Sequence, residues 1–63
     1  MSGGIIITRR NALLTAAKDP SLYDNLPTTC KDKIDDIDTK PPAQCTEHDL
    51  EILVKMLKIA IQC

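Results

Sequence analysis

The chain has 63 residues, eight basic and nine acidic, and a net charge of −1 at neutral pH, so it is at most one domain and gives polyanions little to hold. A chain this short buries only about 60 % of its unfolded surface and needs disulfides, a metal or oligomerisation to reinforce it. Tyr23 is the single aromatic residue, which removes the stacking platforms of single-strand and RNA binders and leaves an aliphatic core suited to interdigitated helices.

Glycine occurs only at Gly3 and Gly4, so the interior lacks the positive-φ positions of tight β-hairpins. The expected fold class is all-α: one domain over 1–63, a small bundle of three to four short helices with a long amphipathic helix at its C-terminal end. Ser2-Gly3-Gly4 reads as a flexible lead, making 1–8 an arm. Within it Ile5-Ile6-Ile7-Thr8 is a β-branched run that prefers an extended conformation. It could pair with a second copy or lie along a helix groove. Thr8 is the predicted N-cap of a helix reaching about Lys18, with Leu13, Ala16 and Ala17 on one face.

Arg9 and Arg10 fall in the first turn of that helix, where the dipole disfavours positive charge. Thr8-Arg9-Arg10-Asn11-Ala12-Leu13-Leu14 resembles the start of a twin-arginine export signal. The apolar run ends at Ala17, however, and Lys18-Asp19-Pro20 breaks it before a cleavage site. The two arginines are therefore read as solvated helix residues, and an intracellular location is expected, with secretion as the alternative.

Asp19-Pro20 restarts a helix, with Asp as cap and Pro at the first position. It runs to about Leu26, before Pro27, and presents Leu22, Tyr23 and Leu26. Thr28 or Thr29 caps a third helix from Cys30 to Asp38, whose apolar positions are Cys30, Ile34 and Ile37. Residues 39–45, with Pro41-Pro42, form a stiff extended connector. Thr46 opens the clearest element, about 46–62: Asp49 makes a capping box with it, acidic residues fill the first turn, and Lys55 and Lys58 follow.

Leu50, Leu53, Val54, Leu57 and Ile61 follow one core face of this last helix, and Leu50, Leu53, Leu57 and Ile61 are expected to build the core. A second apolar row, Ile52, Met56, Ile59 and Cys63, runs beside it. Glu51, Lys55, Lys58 and Gln62 form the polar stripe. This is more apolar surface than the chain can cover. The expected function is therefore a non-enzymatic protein–protein interaction module, such as an adaptor, inhibitor or assembly factor, self-associating as a homodimer. Its candidate contact residues are Ile52, Met56 and Ile59, with Ile5, Ile6 and Ile7 as a second strip. The helix is too short and too charged for a membrane span, which takes about 20 apolar residues.

Three cysteines without repeated spacing define no disulfide framework. The expected state is three reduced thiols used as small hydrophobes; as the alternative, Cys30 and Cys45 can pair if the connector doubles back, which would suit a small secreted effector or toxin. Cys45-Thr46-Glu47-His48 has metal-like spacing, but a structural zinc site needs two more ligands. Cys63 lies about 22 Å beyond His48 along the helix, too far to join them. Asp35, Asp36 and Asp38 lack Ca²⁺-loop spacing, and no phosphate loop or nucleophile elbow is present. Neither metal nor cofactor is expected, and no nucleic acid. A second alternative, a weak DNA-binding dimer with an N-terminal strand and helix, would have to read bases through Ile5-Ile6-Ile7.

Overall fold

The computed structural model describes residues 2–62 and confirms the all-α class: α1 Ser2–Ala17, α2 Pro20–Tyr23, α3 Thr28–Thr39, a single 3-10 turn Pro42–Gln44, and α4 Glu47–Gln62, with no strand among the described residues. The body measures 36 × 17 × 17 Å. Leu14 and Ala17 of α1, Leu26, Ile34 and Ile37 of α3, and Leu53, Met56 and Ala60 of α4 form one buried cluster. Among the described residues no helix is long and apolar enough to cross a membrane.

The largest departure from the sequence reading is at the N-terminus. Ile5, Ile6 and Ile7 are helical, part of α1 from Ser2 onward, and not an extended arm. The β-branched penalty is a few tenths of a kcal/mol per residue. Once the Ala- and Leu-rich segment that follows has nucleated, each added residue gains a backbone hydrogen bond, and among the described residues no strand competes for the three isoleucines. Thr8 is accordingly a mid-helix residue, not a cap. Its hydroxyl donates to the Gly4 carbonyl at 2.9 Å, and that of Thr15 donates likewise to Asn11 at 2.9 Å, the back-bond a helical threonine makes. The strand-and-helix DNA reading loses its strand.

Punctuation elsewhere follows the local chemistry. Asp19 caps α2, its carboxylate accepting from the Ser21 backbone N–H at 3.0 Å and the Ser21 hydroxyl at 2.9 Å, and Pro20 opens the helix. α2 ends at Tyr23, earlier than Leu26, because the chain must turn before Pro27; Leu26 itself is buried and pins the turn. α3 starts at Thr28, with Pro27 and not a threonine at the cap position and no side-chain cap. The 39–45 connector is not extended throughout: Thr39 closes α3, and Pro42–Gln44 makes a 3-10 turn in which proline occupies the first position.

At α4 the expected box forms in both directions. The Thr46 N–H donates to Asp49 Oδ2 at 3.0 Å, and the Asp49 N–H donates to Thr46 Oγ1 at 3.3 Å.

Candidate functional site

α4 was expected to carry one internal and one external apolar row, and the bundle divides it differently. Leu50 and Leu53 are buried as expected, but so are Met56 and Ala60, and Ile61 is 70 % exposed. Ile52 and Ile59 are partly buried and pack against the core cluster. Met56 is therefore a core residue and Ile61 is not, while Ile52 and Ile59 stay half-buried at the edge of the packed face. At about 100° per residue the buried arc centres on Leu53. Ile52 and Ile59 lie on one flank and Val54 and Ile61 on the other. It is this second flank that the bundle leaves open.

There α1 and α4, which share the most extensive helix–helix contact in the molecule, enclose a shallow groove of about 550 Å³. Leu13, Leu50 and Val54 form its apolar floor, with Val54 38 % exposed. Arg9, Glu47, Glu51, Lys55 and Lys58 form its rim. None of these five charges takes part in an ion pair among the described residues. Ile5 is exposed on α1 and lies beside Gly4, Thr8 and Arg9 in a flatter depression; Ile6 and Ile7 are half-buried.

Two polar clusters hold the groove-forming helices. Arg10, expected to be solvated, is buried. Its Nη2 donates to the carbonyls of Ile37, Asp38 and Lys40 at 3.4, 3.0 and 3.3 Å, and its Nη1 donates to Asn11 Oδ1 at 2.8 Å. The guanidinium thus caps the negative end of α3 from α1, leaving its Nε–H buried without a partner. At the start of α4, Lys40 Nζ donates to Asp49 Oδ2 at 2.8 Å. That ion pair, joined by the Thr46 N–H, holds the Asp49 carboxyl below its ordinary range.

A third cluster lies at the end of α1. The Tyr23 hydroxyl donates to both oxygens of Asp35, at 2.9 and 3.0 Å, while Lys18 pairs with Asp35 at 2.7 Å and Asp38 at 3.5 Å. Lys18 lowers the Asp35 carboxyl, with help from Tyr23, and burial followed by Asp35 raises the phenol. The ammonium groups of Lys18 and Lys31 lie 5.2 and 5.3 Å from the Tyr23 ring centre, within cation–π range.

Cys30 and Cys45 are free thiols, with no bridge between them. Cys30 lies in the first turn of α3 and Cys45 follows the 3-10 turn after its other end. About ten helical residues at 1.5 Å each thus separate the two positions along the axis. Burial pushes the Cys45 thiol up, and the Asp49 charge adds to it, which disfavours the reactive thiolate. Cys63 lies outside the described residues. Among the described residues no three His, Cys, Asp or Glu side chains gather as metal ligands would. No protein-family model, curated protein or solved structure matches the chain.

Proposed function

We propose that the chain is a non-enzymatic protein–protein interaction module, a small adaptor, inhibitor or assembly factor, that docks through the seam between α1 and α4. The observation that carries this reading is the open groove itself. Val54 is 38 % exposed there beside the half-buried Leu13, and charges of both signs, unpaired among the described residues, ring them. An apolar centre inside a charged rim is the composition of an interface whose core excludes water and whose edge stays wet.

A photoreactive p-benzoylphenylalanine at position 54 tests it in the cells that make the protein. A discrete covalent adduct is expected from Val54 and none from Lys33, an exposed residue of α3. Adducts from neither position, or equally from both, would refute the groove as a docking surface.

A further inference from the structure

We infer that the occupant of the α1–α4 seam is a second copy of the chain, packed with the two α4 helices antiparallel across a two-fold axis that passes beside Val54 at the level of Leu53 along the helix. The inference rests on the seam being a docking surface and adds who docks there. Its basis is the order of the rim charges along α4. Glu47 and Glu51 line the first half of the groove, Lys55 and Lys58 the second half, and all four are exposed. Reversing α4 about Leu53 brings Glu51 onto Lys55 and Glu47 onto Lys58. The two pairs agree in register to about half a residue, or about 0.8 Å of rise. One two-fold operation therefore matches acid to base at four places, since an isologous interface uses each pair twice.

The same operation sets the apolar floor correctly. Val54 lies one residue from the level of the axis, so the Val54 side chains of the two copies meet across it within about 3 Å of rise, and Leu13 extends the dry strip on α1. Parallel packing of the α4 helices would instead oppose like charges along the whole rim, which costs affinity.

The decisive experiment is light scattering after size exclusion on reduced protein at two concentrations about tenfold apart. Wild type and two charge-reversed variants, Glu47→Lys/Glu51→Lys and Lys55→Glu/Lys58→Glu, are compared, with helicity by circular dichroism confirming that each folds. Wild type is expected at twice the 7.0 kDa chain mass. Each variant alone should dissociate at least about tenfold more readily, because its four rim pairs become repulsive. An equimolar mixture of the two variants should recover the double mass as a heterodimer. A monomeric wild type at both concentrations overturns the inference, as does a variant that dimerises as well alone as wild type does, or a mixture that stays monomeric. The cross-link from position 54 separates this failure from that of the function. An adduct whose mass is not twice the chain, with a monomeric wild type, keeps the seam as a docking site and removes the second copy from it.

Discussion

Arg10 ties α1 to α3 through carbonyls 27, 28 and 30 residues away in the chain. Replacing it with a shape-matched apolar side chain isolates the charge. Arg10→Met should cost about 2 kcal/mol, as hydrogen bonds to a charged group are worth roughly 1.5–3. In a domain this small that lowers the melting temperature by about 8–16 °C. An unchanged melting temperature would mean that the α3 carbonyls are equally well served by water. Asp49 makes a second prediction, in pH. Its carboxyl lies below the ordinary 3.8, held there first by Lys40 and then by the Thr46 N–H. A depressed carboxylate stabilises the fold above its unfolded value, about 3.9, and that contribution is lost as pH falls through the folded value. Urea unfolding of wild type should therefore weaken as pH drops from about 5 towards 2. Asp49→Asn should be less stable at pH 7, by about 1 kcal/mol for a damaged cap, with a flatter acid limb, so that the two curves converge at low pH. Parallel curves would show that the ion pair contributes nothing.

Among the elements, α1 departs furthest from its local preferences, because Gly3, Gly4 and three isoleucines begin it. A Cβ placed on Gly4 meets nothing within 4 Å. Gly4→Ala should therefore stabilise the protein by about 0.5 kcal/mol through helix propensity alone, raising the melting temperature by a few degrees without changing the urea m-value. A destabilised variant would mean that the first turns of α1 are not helical in solution. α4 is the opposite case. Its capping box, first-turn acids and polar stripe Glu51, Lys55, Lys58 and Gln62 agree with one another, and all four stripe residues are exposed where a 3.6-residue period puts them. What the period left ambiguous was the middle of the buried arc. Ala60 and Asp49 lie in it, and neither signals as a large hydrophobe; counting them would have placed Met56 inward and Ile61 outward.

The molecule as a whole is marginal, with roughly 3–9 kcal/mol of stability expected for its length. Leu53 and Ile34 are the largest fully buried side chains among the described residues. Leu53→Ala should cost 2–5 kcal/mol, as large-to-small core substitutions do, enough to replace a cooperative thermal transition with a broad one or none. Val54→Ala, one residue on but in the groove, should change monomer stability by less than about 1 kcal/mol. Comparable losses at both positions would mean that Val54 is core and the groove is closed.

Local chemistry by itself determined the all-α class, the boundaries of α4 to within a residue, its cap, its polar stripe and the Asp19-Pro20 restart. Each of these depends on side chains within one or two turns of one another. Tertiary structure alone decided two things: that Arg10 is buried against the end of α3, and that Met56 lies in the core while Val54 and Ile61 face outward. Those outcomes turn on which flank of each helix the other helices cover. A helix with two apolar flanks has no local means of choosing between them; the choice is made by neighbours distant in the chain.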